Sequence, residues 1–470
     1  MSSWKPAVLA LALAAAYPMA ASAQSNADLL KELKALKDRV GELEKKLADK
    51  DAAAAAAPAP QWGATPEQVQ TLNALVVKTD AITDNTETMG FKGLKISGYL
   101  DPVYIWNKDQ HRAGFQFLNR VSDDGYNYDN GYFGTASLDI QKEMDNGTKF
   151  RLTLMPNRGA GSIADAEGNS IVHEASMSVP ITGQNLKLLT GQIPDWSGYE
   201  YIQATQTKLV TRGLLLDFTE PTAYTGAGIE YLSGKWDVKA LIANYNVTKN
   251  PAGRQSPVLA YRADYSKGEF SGFGFAGVHG KAANFSEGIV DADGNPVAQS
   301  DSRLDLFEVD GYFIRGDWTF QGQVGAGRQK YASITPAADG SLRDARWWGV
   351  SALAAYKFIP RWEAVARADY IDNSANGGGL LQYSIADGRN GIGPGRSFNA
   401  DTGTWDFTNP DKGANRYALA IGVNYLFNEN VTIKTEYRFD GATEAVFFDH
   451  HDGSYRKNNH LLGTSVVVSF

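Results

Sequence analysis

The side chains best suited to chemistry in this chain are charged, and they come in two sets. One is a single segment, Ile193 to about Thr222, which gathers Asp195, Trp196, Tyr199, Glu200, Tyr201, Lys208 and Arg212. The other is scattered along runs of alternating polarity: Arg151, Arg262, Arg367, Lys434 and Arg438, alongside Asp139, Asp264, Asp369 and Glu436. Groups of this kind sort ions and polar solutes by charge when they ring a passage. A bond-making machine is harder to assemble from the sequence. With no cysteine, the chain has no thiolate nucleophile and no Cys-type zinc site. The six histidines (His111, His173, His279, His450, His451, His460) fall mostly in expected loops or at strand ends, and His450-His451-Asp452 reads as a solvated loop tip. Asp291-Ala292-Asp293-Gly294-Asn295 has its glycine too early for a calcium loop and lacks a glutamate at the twelfth position. The stretch Gly272 to Gly280 has no following helix and is not a phosphate loop. No catalytic residue, metal site or cofactor is expected.

What would position the charged residues is a sheet. From Phe91 to Phe470 the hydrophobic period is two. Leu94, Ile96, Gly98 and Leu100 alternate with Lys95, Ser97, Tyr99 and Asp101; Phe150, Leu152 and Leu154 alternate with Lys149, Arg151 and Thr153. Near the end, Val431, Ile433, Tyr437 and Phe439 share one face, and Thr432, Lys434, Glu436, Arg438 and Asp440 share the other. A soluble sandwich has the same parity, so the connections must decide. Tight turns are expected near Asp145-Asn146-Gly147, Thr182 to Asn185, Ser233-Gly234-Lys235, Ser266-Lys267-Gly268, Gly316-Asp317, Ile359-Pro360 and Asn428-Glu429-Asn430. Longer Gly/Asp/Asn-rich connections run between them, for example 107 to 130, 282 to 302, 374 to 413 and 441 to 458. Short and long loops at alternate ends are the asymmetry of a transmembrane β-barrel. Seven hairpins, a first strand near 94 to 106 and a last near 459 to 470 predict about sixteen antiparallel strands. An even count returns both termini to one side. A barrel of that size leaves an aqueous channel unless something folds into it, and the third long loop, Ile193 to about Thr222, is the candidate constriction.

Composition agrees with that class. The chain holds 48 Gly, 22 Tyr, 21 Phe and 10 Trp, with net charge −8 and a mean hydropathy of −0.33. This is too polar for a helical membrane protein, whereas a barrel hides its apolar face by alternation. Tyr104, Trp106, Trp236, Trp318, Trp362, Tyr370, Tyr425, Phe427 and Tyr437 are expected at strand ends, at lipid headgroup depth. The acidic balance argues against a nucleic-acid partner.

Ahead of the barrel, residues 1–23 read as a signal peptide, with Lys5, an apolar run from Ala7 to Ala16 and the cleavage pattern Ala21-Ser22-Ala23. Residues 24–51 carry a heptad seam of Leu29, Leu33, Leu36, Val40, Leu43 and Leu47. The flanking pairs of a parallel oligomer, Glu32 with Lys37, Arg39 with Glu44 and Lys46 with Asp51, all have opposite charge, which predicts self-association. An Ala/Pro linker (52–64) and a short helix with connector (65–90) follow.

The last strand places Leu462, Thr464, Val466, Val468 and Phe470 on one face. It resembles the final strand of bacterial outer-membrane barrels, whose terminal aromatic is read by the insertion machinery, and the resemblance gives Phe470 that role. Signal peptide, coiled coil, Ala/Pro spacer and sixteen-stranded pattern together look like trimeric porins with a periplasmic coiled coil. Gly191-Gln192-Ile193-Pro194, then Trp196, Gly198 and Glu200, and later Thr211-Arg212-Gly213, are similar to the region before the pore loop of phosphate-selective and related porins, whose basic cluster is not recognisable here. The resemblance implies an outer-membrane homotrimer passing small hydrophilic solutes. Its third loop would be an internal eyelet with acids facing the basic wall of Arg151, Arg262, Arg367, Lys434 and Arg438. Lys208 and Arg212 beside the constriction give a lean towards anions or organic acids. Two other readings compete: an envelope tether or adhesin anchored by a plugged barrel, and an outer-membrane hydrolase.

Overall fold

The computed structural model describes residues 91–109, 111–117, 134–159, 170–246, 257–266, 268–283, 301–381 and 392–470, together with scattered positions between 34 and 49. The chain divides into two units, Met1–Lys92 and Gly93–Phe470. In the first, the described residues between 34 and 49, among them Lys37, Asp38, Arg39, Lys45 and Lys46, are helical. The seam leucines, the signal peptide, the Ala/Pro linker and the 65–90 helix lie outside the described residues, as does Asp291 to Asn295.

The second unit is a closed antiparallel sheet of sixteen staves. In chain order they are β1 (Leu94–Leu100 and Val103–Asn107), β2 (Arg112–Gln116 and Ala136–Glu143), β3 (Lys149–Gly159), β4 (Ser170–Thr182), β5 (Leu186–Pro194), β6 (Ala223–Ser233), β7 (Trp236–Asn246) and β8 (Val258–Ser266). The circuit continues with β9 (Ser271–Ala283), β10 (Asp301–Arg315), β11 (Trp318–Gln329), β12 (Ala345–Ile359), β13 (Trp362–Asp372), β14 (Arg416–Asn428), β15 (Val431–Ala442) and β16 (Asn458–Ser469). All seven expected tight turns join neighbouring staves at one end. The expected barrel of about sixteen antiparallel strands is therefore the fold found.

Two staves are broken, each for a visible reason. Pro102 has no N–H to give the ladder, and β1 is interrupted there. The connection expected at 107 to 130 is instead a tight hairpin at Lys108 to His111, after which β2 starts, leaves the sheet at residue 117 and returns at residue 136. Gly134, at φ +65°, makes that return where a Cβ would strike the Gln116 backbone. Two later connections carry small hairpins of their own, Arg396–Asn399 with Thr404–Phe407, and Phe447–Phe448 with Tyr455–Arg456.

Closure joins the two ends of the sheet. β16 pairs with β1 through Tyr99 opposite Ser469, Leu100 opposite Val468 and Val103 opposite Ser465. Beyond the last ladder pair, Gly98 and Phe470 exchange backbone hydrogen bonds of 3.1 and 3.0 Å, and the Phe470 ring lies over Gly98. Parity holds along the walls: in β15, Lys434, Glu436, Arg438 and Asp440 are buried inside the barrel, while Thr435 and Tyr437 are exposed outside. Outward rings pair at the turn end, Trp318 with Tyr356 at 4.5 Å and Trp362 with Tyr425 at 4.6 Å. Tyr437 departs from the expected pattern, because it is the seventh of the twelve residues of β15 rather than an end residue.

Since a side chain at position 98 would meet both the Ser137 carbonyl and the Phe470 ring, Gly98→Val should wedge the closing seam. Urea unfolding of the refolded barrel should show a loss of about 1–3 kcal/mol; an unchanged midpoint would mean the seam tolerates bulk.

Candidate functional site: a loop fastened inside the barrel

The segment 195–222 between β5 and β6 turns inward and lines the inside of the wall from β8 round to β1. Its start is set locally. Asp195 accepts hydrogen bonds from the Ser197 N–H (2.9 Å) and hydroxyl (3.0 Å), and from the Tyr224 hydroxyl (2.5 Å). The Trp196 carbonyl then accepts from Arg262 on β8 (2.9 Å). Gly198 follows at φ +70°, tight against Gln323 and Glu220, where a side chain would not fit. Further on, the Tyr199 hydroxyl meets Ser351 of β12 at 2.7 Å, and Glu200 accepts from Arg367 of β13 at 2.7 Å.

The return limb is fastened more densely. Thr211 donates its N–H (2.7 Å) and hydroxyl (2.5 Å) to Glu436. Arg367 gives hydrogen bonds to the Thr211 and Arg212 carbonyls (3.0 and 2.9 Å), and Arg438 gives one to the Arg212 carbonyl (2.5 Å). Lys434 donates to the carbonyls of Ala204 (2.6 Å) and Thr207. Lys208 pairs with Glu363 at 2.7 Å. A helical turn, α1 (Leu214–Phe218), then buries Leu214, Leu215 and Phe218 in a cluster with Leu241, Leu304 and Trp347. Gly422 gives Leu209 its place, since a Cβ there would come within 2.7 Å of the leucine. The loop closes its circuit at Glu220, which accepts from Gln323 (2.5 Å), a residue that also donates to Glu308 (3.1 Å).

The residues expected at the constriction and its wall lie in or against this loop except Arg151, but they are placed differently from the expected eyelet, and Phe470 stands at the closing seam. Arg367, Lys434 and Arg438 do not confront the loop across water. They are buried beneath it and are its fasteners. Arg212 turns back onto its own loop, donating to the carbonyls of Val210 (3.0 Å) and Ile202, and Lys208 is spent on Glu363. Lys208 keeps 27% of its side-chain exposure beside Glu363, and Arg212 is buried. Parity told which side chains point inward, but not which stretch of wall the loop would cover. Arg262 is shared between Asp264 and Asp310, both at 2.6 Å, and Arg151 lies apart on β3, between Asp139 (2.9 Å) and Glu174 (3.3 Å). Glu363, Glu308, Gln323 and Ser351 were missed as loop partners, although alternation places all four on the inner face. Between its anchors the loop shows the barrel interior an uncharged stretch, Tyr201 to Thr207, in which Tyr201, Thr205 and Gln206 are exposed.

Burial shifts the acids of the loop itself. It raises Asp195 to about 6, against the pull of Tyr224 and Ser197. It raises Glu200 despite the facing Arg367, and raises Glu220 well above the carboxylate range, where Glu308, Asp195 and Glu200 add their negative field. Among the described residues no cluster of three or more His, Asp or Glu could hold a metal ion.

Two measurements probe the fastening. Arg367→Ala strands Glu200 and Asp369 without their buried cation, costs about 3 kcal/mol, and should open the loop to trypsin at Lys208 and Arg212; full protease resistance in the variant would count against the latch. Glu220 keeps its raised value only when folded, so its stabilising contribution is complete below the ordinary carboxylate range and is lost as pH rises through the raised value. Glu220→Gln should therefore raise stability at pH 8 by about 1 kcal/mol, with little change at pH 4, in paired urea titrations.

The trimer form of OmpT, an outer membrane protein of Vibrio cholerae, is similar at 12% identity and a TM-score of 0.47, covering 80% of this chain and 99% of that one. The outer membrane channel DcaP of Acinetobacter baumannii is similar at 14% identity and 0.47, covering 80% and 97%. An anion-selective porin from Comamonas acidovorans is similar at 8% identity and 0.47, covering 80% and 99%. No curated protein matches the chain. The family model described as protein of unknown function DUF3138 matches residues 4–470, and the chain belongs to that family.

Proposed function

We propose that this protein is an outer-membrane porin that passes small hydrophilic solutes by passive diffusion, with the 195–222 loop limiting what can enter. One observation carries the reading: the inward face left uncovered by the loop keeps charged side chains in water. Arg151, Asp264 and Asp237 retain 40%, 36% and 30% of their side-chain exposure inside the barrel, which fits a wet lumen and not a dry plug. In this reading the signal peptide exports the chain, the insertion machinery reads the strand ending at Phe470, and the 24–51 coiled coil stands in the periplasm.

Self-association as a homotrimer belongs to the same proposal. The outer face of Ala136–Glu143 in β2 and of β3 to β5 is aliphatic, with Leu138, Ile140, Leu152, Leu154, Met177 and Leu188, and Phe150 is its single outward ring among the described residues, the Arg112–Gln116 part of β2 adding Phe115. The wall from β7 to β15 instead carries Trp236, Trp318, Trp348 and Trp362. Rings suit a headgroup boundary, and an aliphatic strip without them suits protein contact. Anions and organic acids are among the solutes to test.

Purified protein in planar bilayers should conduct, and a trimer should close in three steps. Deleting residues 26–60 should leave single-channel conductance intact, whereas a tether would lose its phenotype. A barrel that carries no current would refute the porin reading.

A further inference from the structure

Resting on that reading, we infer that the channel selects cations over anions, and that small cationic solutes are its preferred class. Three ion-pair networks line the inner wall, each with at least one member that water reaches, beside the exposed turn-end residues Lys95, Glu143 and Lys149, of which the last two pair at 3.3 Å. On β2, β3 and β4, one guanidinium, Arg151, serves two carboxylates, Asp139 at 2.9 Å and Glu174 at 3.3 Å. On β5, β6 and β7, Lys187 and Glu230 stand opposite one another at 3.1 Å, and Lys239 bridges Glu230 (3.6 Å) and Asp237 (2.8 Å), so that network is balanced. On β8 and β10, Arg262 again serves two carboxylates, Asp264 and Asp310, each at 2.6 Å.

Among the described residues, cations are matched or outnumbered in all three networks, and two of the three keep one negative charge in excess. Nothing on the loop redresses this. Its exposed stretch, Tyr201 to Thr207, is neutral, while its two cations, Lys208 and Arg212, are turned to the wall and to the loop backbone. Asp264 and Asp237 are also register partners on adjacent staves, two carboxylates side by side on the inner face. Like charges so placed repel, and a passing cation relieves the repulsion. In a confined lumen a fixed negative excess concentrates mobile cations and repels anions.

The test is the reversal potential of the full-length protein in a KCl gradient, followed by two opposed variants. Wild type should favour K⁺ over Cl⁻ severalfold. Neutralising the excess with Asp264→Asn should lower that ratio by roughly twofold, whereas Lys239→Gln should raise it by a similar factor, because each changes the fixed charge by one unit in opposite directions. Conductance that is unselective or prefers Cl⁻ overturns the inference and leaves the porin reading standing. Variants that conduct but leave the ratio unchanged overturn the assignment to these networks. Absence of any current refutes the porin reading, and the inference with it.

Discussion

The rest of the interior depends on the fastening of one loop through its backbone. Thr211 and Arg212 offer carbonyls to Arg367 and Arg438, and Thr211 gives its N–H and hydroxyl to Glu436. These are charge-assisted bonds in a buried site, roughly twice as strong as neutral ones. The alternative state, a loop swung free, would leave a row of charged side chains unpaired on the bare wall. Removing one partner from such a network is costly, and that cost holds the loop against β13 to β15.

Apolar burial works in the same direction and decides where the return limb lies. Leu214, Leu215 and Phe218 sit almost fully buried against the far wall. Each side chain of that size contributes roughly 1.5–3 kcal/mol on burial. The polar latch contributes less net energy per contact but sets register, since a guanidinium that spans two consecutive carbonyls accepts one alignment only. The hydrophobic residues thus attach the loop, and the arginines position it.

That division explains why charged residues of similar appearance end in different roles. The arginines of β13 and β15 meet the loop and become structural. Arg151 on β3, beyond the loop's reach, stays near water with its two carboxylates. Position around the barrel, rather than residue type, separates fastener from pore wall. The loop is consequently neutral along its exposed stretch from Tyr201 to Thr207, and the side of the lumen around Arg151 holds charge in water.

Much of this molecule was legible in its residues. Alternation over Phe91 to Phe470, seven turn signals and a last strand ending at Phe470 sufficed for the strand count, the inward set and the closing pair, because a period of two leaves each side chain only one face to occupy. The same rule named Arg367, Lys434 and Arg438 as inward. It could not say that a loop beginning some 170 residues before Arg367 would cover them, that Lys208 would meet Glu363, or that Arg212 would turn onto its own backbone. Those contacts join segments distant in sequence, and only closure of the sheet brings β5 and β13 within reach of one loop. The individual residues determined the wall; the tertiary fold decided which part of it remains in water.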